Sequence, residues 1–421
     1  MAIEALRCKE CGTDYPLDAR YVCERCFGPL EVAYDFSALD PASAKRKIQA
    51  GSAGIWRYAD FLPFESGPPA ERSALEPGLT PLVRADRLAE QLGLGELWIK
   101  NDAANPTHSF KDRVVAVALA KARELGFDTV ACASTGNLAN AVAAHAAATG
   151  LRSYVFVPSD LEEQKLLATG VYGTTLVGVN GTYDDVNRLC TELSETRGWA
   201  FVYVNLRPYY AEGSKTLAYE TVEQLGWKLP DRVVCPIASG SLFSKLGRGF
   251  REWMDLGLVE GELPSFNGAQ PDGCSPVASA FAANEEICRP VKKPDTIAKS
   301  LAIGNPADGV YALDLARSTE GSIDSVSDDE IRDGIRLLAE TTGVFTETAG
   351  GVTTAVLAKL AERGDIGPDE SVVVYVTGEG LKTLDATREG FEMHEIDPSL
   401  EDFEAAVEDE RVATTSGKAG A

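Results

Sequence analysis

An α/β fold, a parallel sheet with helices packed on both faces, is what this sequence predicts. Three observations carry the prediction. From about residue 97, short apolar runs alternate with longer helical patterns. The runs Val233–Ile237 and Val372–Val376 are apolar almost throughout, as strands covered on both faces are. Loops rich in glycine and small hydroxyl residues follow several runs, where such folds gather a ligand crevice at the carboxyl ends of their strands.

The elements follow in order. Past Pro41, Trp56, Pro63, Pro68 and Pro69 mark loops rather than long elements. Leu97–Ile99 reads as a strand and Asp112–Leu125 as a helix rich in Ala and Val. Thr129–Ala133 is the next strand, followed by an Ala-rich helix over Asn137–Thr149. Tyr154–Val157, Thr174–Val179 and Phe201–Val204 continue the strands, with helical stretches between them. No internal repeat is found. The tail is acidic from Glu401 and small and polar from Thr414, which reads as a frayed end.

Bulk properties narrow the function. A chain of 421 residues can bury one large or two modest cores. Its 64 acidic and 40 basic residues leave a net charge of −24, a surface that repels nucleic-acid backbones and anionic membranes. No apolar run approaches the roughly 18–20 residues of a membrane span. No basic segment followed by a long apolar one opens the chain, so a cytoplasmic protein is expected. A small anionic substrate fits only with a local cationic pocket.

Four of the nine cysteines fall in Cys8-Lys-Glu-Cys11 and Cys23-Glu-Arg-Cys26. Two such pairs can each wrap a turn around one metal and offer four thiolates in a tetrahedron. A structural zinc ion is the expected occupant; a redox pair, an iron centre or disulfides are the alternatives. Cys132, Cys190, Cys235, Cys274 and Cys288 read as small buried hydrophobes.

Four loops carry the candidate chemistry. In Asn105-Pro-Thr-His-Ser109-Phe110-Lys111-Asp112-Arg113 a helix opens at Asp112, and Lys111 sits beside its positive end, where the helix dipole and an apolar wall both disfavour its charge. Such an amine suits a Schiff base, although a lone lysine is more often a surface charge. Ser134-Thr135-Gly136-Asn137 offers an anion nest or an ordinary helix cap. Ala238-Ser239-Gly240-Ser241-Leu242 lets backbone amides close on a phosphate, or forms a plain turn. Thr377-Gly378-Glu379-Gly380-Leu381-Lys382 ends the last strand and offers a hydroxyl to a ring nitrogen.

Together, in this order, the loops resemble those of the threonine synthase family, pyridoxal-phosphate enzymes of fold type II. Pro-Thr-x-Ser-Phe-Lys-Asp-Arg at 106–113 is similar to that family's cofactor-lysine motif. Glu-Gly-Ser-Lys-Thr at 212–216, Gly-Val-Phe-Thr-Glu at 343–347 and Thr-Gly-x-Gly-Leu-Lys at 377–382 extend the resemblance. It implies a two-domain enzyme with parallel-rich open sheets flanked by helices, plus an N-terminal zinc ribbon. The implied division is 1–35 for the ribbon, 36–111 with 206–405 for a large cofactor domain, 112–205 for an inserted small domain, and 406–421 for a flexible tail.

The resemblance also implies roles. Lys111 would hold pyridoxal 5′-phosphate as a Schiff base, with Phe110 beside it. Asn137 would meet the cofactor's phenolic oxygen, Ala238, Ser239, Gly240, Ser241 and Leu242 its phosphate, and Thr377 its ring nitrogen. Ser134 and Thr135 would take the substrate carboxylate, and Cys8, Cys11, Cys23 and Cys26 the zinc. The implied reaction is that of a lyase in threonine biosynthesis, converting O-phospho-L-homoserine and water to L-threonine and phosphate. A homodimer is expected because the family is often dimeric.

The sequence departs from the family where substrate phosphate is bound. Asn205-Leu-Arg207-Pro-Tyr-Tyr210 replaces Ser-x-Asn-Pro-x-Arg, and Leu138-Ala-Asn-Ala141 follows the loop asparagine in place of Thr-Ser-Ala-Ser. Arg207 and Lys165 are the candidate replacements, since a guanidinium can grip phosphate through two bonds; a surface arginine on a turn is the alternative. His108 reads equally as packing or proton transfer, and His145 as core. The alternative functions are a sister enzyme, such as a cysteate synthase using O-phosphoserine and sulfite or a threonine dehydratase, and a zinc-ribbon binding protein with an inactive body.

Overall fold

The computed structural model describes residues 3–65, 67–70, 72–388 and 393–406. The N-terminal segment is an antiparallel sheet in which β1 (Ile3–Cys8) lies between β2 (Asp14–Tyr15) and β3 (Leu30–Tyr34). Leu6 and Val32 face each other across it, fully buried. So small a sheet needs support from elsewhere. Arg248 supplies some, donating to the Val32 carbonyl at 2.7 Å and pairing with Glu31 at 2.7 Å.

Next, β4 (Leu82–Arg84) and β5 (Glu96–Asn101) pair antiparallel. The strands β6 (Thr129–Ala133), β7 (Arg152–Pro158), β8 (Thr175–Val179) and β9 (Ala200–Phe201) then form a separate, wholly parallel sheet in the order β8-β7-β6-β9. Finally β10 (Arg232–Pro236), β11 (Ser265–Pro271), β12 (Ile323–Val326) and β13 (Ser371–Val376) join β4 and β5 in a six-stranded sheet. Its order is β12-β11-β10-β13-β5-β4, parallel except at the β4 edge. Val233, Val234, Val373, Val374 and Ile99 at its centre are fully buried, which is why these strands read as unbroken apolar runs.

The structure corrects the strand expected at Phe201–Val204. The ladder is Ala200–Phe201 only, because the Asn205 side chain takes the chain into a turn: its Oδ1 accepts from the Phe201 amide at 2.8 Å and its Nδ2 donates to the Trp199 carbonyl at 3.0 Å. Strand β11 went unread because Asn267 and Gln270 interrupt its apolar pattern. Both are fully buried, since their amides are satisfied internally: Asn267 donates to the Val233 carbonyl, and Gln270 accepts from the Val277 and Ala278 amides.

The chain forms two compact units, Met1–Thr383 and Leu384–Ala421. The site described below belongs to the first. In the second, residues 400–406 are helical. The tail expected to be flexible at 406–421 lies, from residue 407, outside the described residues. Among the described residues no helix is long and apolar enough to cross a membrane.

Candidate active site

Lys111 is the first residue of the helix Lys111–Glu124, and its loop is pinned from both sides. Behind it, Arg113 is fully buried, bonded to Asp102 at 2.7 Å and to Glu220 at 2.7 Å, and Glu220 also takes Lys100 at 2.8 Å. Asp112 accepts from the Thr107 amide at 2.7 Å and its hydroxyl at 2.8 Å, which closes the loop. His145 lies in the core, as expected, 3.0 Å from Asp112. In front, the loop is sewn to the end of β13: the Phe110 amide donates to the Thr377 carbonyl at 2.9 Å, and the Glu379 amide to the His108 carbonyl at 3.2 Å. Two loops far apart in sequence therefore meet at Lys111.

The Lys111 amine is half-buried, 4.9 Å from the Phe110 ring centre, and donates to the Tyr210 hydroxyl at 3.1 Å. Burial pulls its pKa below the ordinary lysine value, against the smaller opposing pull of Tyr203 and Glu347. Tyr203 stands edge-on to Tyr210, with ring centres 5.7 Å apart, and completes an aromatic wall.

Asn137 begins the helix Asn137–Thr149. Its Nδ2 donates to the two carboxylate oxygens of Glu347 at 3.1 and 3.0 Å, and its Oδ1 accepts from Lys382 at 2.8 Å. Ser134 Oγ accepts from the amides of Gly136 at 3.4 Å and Ala139 at 3.2 Å, so it caps this helix and still has its own proton to donate. Thr135 is half-buried beside it.

The third loop, between β10 and the helix Ser241–Asp255, turns at Gly240 with φ of +92°. A Cβ there would lie 2.6 Å from the Asp308 carbonyl oxygen, so only glycine fits this close approach. The Asp308 amide holds the loop by donating to the Ser239 carbonyl at 2.8 Å. The Asp308 carboxylate accepts from Arg207 at 2.9 Å.

Of the residues singled out in the sequence, Phe110, Lys111 and Thr377 meet directly, and Asn137 joins their loops through Glu347 and Lys382. Arg207 lies on the short helix Arg207–Glu212 that also carries Tyr210, and so joins this group, through Asp308, to the Ser239–Gly240 loop. Lys165 pairs instead with Glu162 at 3.1 Å, its side chain 40% exposed. The Glu-Gly-Ser-Lys-Thr stretch belongs to the framework: Glu212 and Lys215 form a buried pair at 2.7 Å, and Thr216 accepts from Arg113. Sequence reasoning missed Tyr210, Glu347, Lys382 and Asp308. Glu347 and Lys382 lie inside quoted stretches, and Tyr210 was visible as a departure. Asp308 carries no local signal.

The N-terminal cysteines also converge. The four Sγ atoms of Cys8, Cys11, Cys23 and Cys26 lie within 4.8 Å of one another, a set that could hold one metal ion. Cys8–Cys26 and Cys11–Cys23 are 3.4 and 3.6 Å apart, too far for disulfides.

Comparison with known proteins bears on this geometry. A family model described as "Pyridoxal-phosphate dependent enzyme" matches residues 74–378. A threonine synthase of Methanocaldococcus jannaschii is 38% identical over 382 residues, covering 90% of this chain and 93% of that one. A threonine synthase of Methanosarcina acetivorans is 37% identical over 379 residues, covering 90% and 92%. Among solved structures, a processed threonine deaminase isoform from Solanum lycopersicum superposes with a TM-score of 0.64 at 21% identity, covering 81% of this chain and 91% of that one. A fungal L-serine ammonia-lyase from Rhizomucor miehei gives 0.63 at 22%, covering 75% and 99%. At these identities the structures speak to the fold alone.

Proposed function

The chain belongs to the pyridoxal-phosphate dependent enzymes and, among them, to the threonine synthase family, and from that premise we propose that it converts O-phospho-L-homoserine and water to L-threonine and phosphate at the Lys111 site. The observation that carries this reading is the half-buried Lys111 amine. It sits at a helix N-terminus between Phe110 and Tyr210, with burial pulling its pKa down.

The residues present fit the cofactor. A lysine amine whose charge is disfavoured by burial suits a carbonyl partner, and the cradle at Gly240 excludes any side chain. In this reading Lys111 holds pyridoxal 5′-phosphate, Phe110 flanks it, and Asn137 faces its phenolic oxygen. Ala238, Ser239, Gly240, Ser241 and Leu242 surround its phosphate, and Thr377 faces its ring nitrogen. The bound cofactor supplies an electron sink for charge developing on the substrate carbons.

The chain's own groups supply the rest. The Lys111 amine would take the proton from Cα of the substrate and move protons along the substrate's side chain. Ser134 and Thr135 offer hydroxyl protons to the substrate carboxylate, and Ser134 is free to do so because its oxygen already accepts two amides. Arg207 receives the substrate phosphate, with Lys165 as the second candidate. Overall, the bond from Cγ to the phosphate oxygen breaks and a bond from Cβ to water's oxygen forms, while Cβ loses one proton, Cγ gains one, and the proton from water leaves with phosphate. Thr377, a neutral donor, cannot hold a positive ring nitrogen as a carboxylate would, which weakens the sink and suits chemistry at Cβ and Cγ.

The same reading assigns the cysteine cluster a structural zinc ion and the enzyme a homodimeric, cytoplasmic state with a small phosphorylated amino acid as its partner. The division into 1–35, 36–111 with 206–405, and 112–205 is supported by the sheets: every strand of the four-stranded sheet lies between residues 129 and 201.

The test is product analysis with purified protein given O-phospho-L-homoserine, or O-phosphoserine with sulfite, beside a Lys111→Ala control. Threonine from the first substrate alone, absent in the control, is the expected result. Cysteate from the second would overturn the substrate assignment and keep the fold.

A further inference from the structure

The Asn137 amide is gripped at both ends, and the two grips have opposite charge. Lys382 can only donate, so it must face Oδ1; ionised Glu347 can only accept, so it must face Nδ2. A flipped amide would set its NH2 against an ammonium and its carbonyl against a carboxylate. Orientation is therefore decided by charge.

Both grips are themselves fixed. Glu347, the residue before the helix Thr348–Glu362, donates its amide to the Gly378 carbonyl at 3.1 Å. Its carboxylate fills the space where Gly378 has no Cβ: an added Cβ would lie 2.4 Å from the carboxyl carbon. Lys382 is tied to the Lys111 loop through the Thr107 carbonyl at 2.6 Å. Glu347 is 4% exposed, and the described ion pairs give it no cation within salt-bridge distance. Such a carboxylate is costly to bury without compensating bonds, and the Asn137 amide supplies them.

We propose that Glu347 and Lys382 are positioning residues that hold the Asn137 amide with one Nδ2 hydrogen left for the cofactor, and that their opposite charges tune the Lys111 linkage. The proposal rests on the cofactor reading above and adds two residues to it. One Nδ2 hydrogen shared between the two Glu347 oxygens, at 3.1 and 3.0 Å, leaves the second for a ligand acceptor.

The charged and titratable surroundings are defined. Glu347 faces Lys111, Lys382 and Glu379. Lys382 faces Glu347, Asp112 and Glu379, and Lys111 faces Tyr203, Tyr210 and Glu347. Burial pushes the Glu347 carboxyl above its usual range and the Lys382 amine below its own; their mutual attraction opposes both shifts, and the Asn137 hydrogen bond also opposes that of Glu347.

The experiment is a pH titration of the visible absorbance of the cofactor-loaded protein, for the wild type, Glu347→Gln and Lys382→Met. Removing the carboxylate takes a negative charge from the protonated linkage, so the midpoint falls. Removing the ammonium takes away a positive charge, so it rises. Shifts of about one pH unit in opposite directions are expected. Shifts of the same sign, or none in either variant, would overturn the proposal, because loosening of the site has no reason to change sign with the charge removed. If Glu347→Gln does not hold cofactor, the Lys382→Met direction decides: a rise supports the proposal and a fall or no change overturns it. An absorbance that persists unchanged in Lys111→Ala would instead defeat the reading of Lys111, whatever the two variants do.

Discussion

Arg207 and Asp308 form an ion pair of 2.9 Å that joins the helix carrying Tyr210 to the loop carrying Gly240. Burial alone would lower the Arg207 pKa, but Asp308, with help from Tyr203 and Tyr311, more than offsets it, and the guanidinium is held above its usual value. An arginine that receives substrate phosphate must share itself with this carboxylate.

Neutralising Asp308 therefore releases the guanidinium for an external anion. Asp308→Asn is expected to lower KM for the phosphorylated substrate and to strengthen inhibition by inorganic phosphate. Arg207→Gln should raise KM roughly 10- to 100-fold, the loss of a charge-assisted bond of about 1.5–3 kcal/mol. Steady-state kinetics check both. If Asp308→Asn weakens cofactor retention and leaves phosphate inhibition unchanged, the pair is a brace rather than part of the phosphate site.

Gly240→Ala should fail at the cradle. The backbone is left-handed there, and the new Cβ would meet the Asp308 carbonyl at 2.6 Å. We expect about 1–3 kcal/mol of lost stability and cofactor affinity reduced at least tenfold, read by equilibrium dialysis of the cofactor. Gly12→Ala, also at positive φ but with open space around its Cβ, should leave cofactor affinity unchanged.

Glu220 gives a signature in acid. Burial would raise its pKa, yet Arg113 and Lys100 outweigh burial and hold it at about 2. Its contribution to stability is therefore complete above the unfolded-state value of about 4.3 and is lost as pH falls from there through about 2. Glu220→Gln leaves Arg113 and Lys100 facing fewer buried charges and should cost about 3–5 kcal/mol at pH 7. Guanidinium unfolding should show the gap between wild type and variant narrowing as pH drops from about 4 towards 2.

Chelation of the cysteine cluster should act beyond β1–β3. Tyr34 donates to buried Glu212 at 2.8 Å, and Tyr209, beside Tyr210, donates to the Asp18 carbonyl at 2.9 Å. One zinc per chain is expected on elemental analysis. Its removal, or Cys23→Ser, should lower the melting midpoint by about 5 °C or more, as loss of a few kcal/mol does in a domain of this size. An unchanged midpoint after complete metal removal would show that the cluster does not support the fold.

The parts legible in the sequence are those whose signal is local. Val372–Val376 reads as a buried strand because both of its faces are covered, and Cys8 to Cys26 reads as one metal set because short spacing constrains four thiols by itself. Lys111 could be placed at a helix start because the Thr107–Asp112 closure lies within six residues. Strand β11 was hidden because Asn267 and Gln270 look like turn residues until their buried partners are known. Phe201–Val204 looked like a full strand because nothing nearby reveals that Asn205 will take the Phe201 amide.

By itself, then, the sequence determined the alternation that builds parallel sheets, the cysteine cluster, and the loops that carry the chemistry, since each depends on residues close together in the chain. The tertiary structure alone decided that Tyr210 would meet Lys111, that Glu347 and Lys382 would grip Asn137 from opposite ends, and that Asp308 would occupy Arg207. Those contacts join residues 99 to 245 positions apart. Their specificity comes from burial and charge pairing, which exist only once the sheets have brought the loops together.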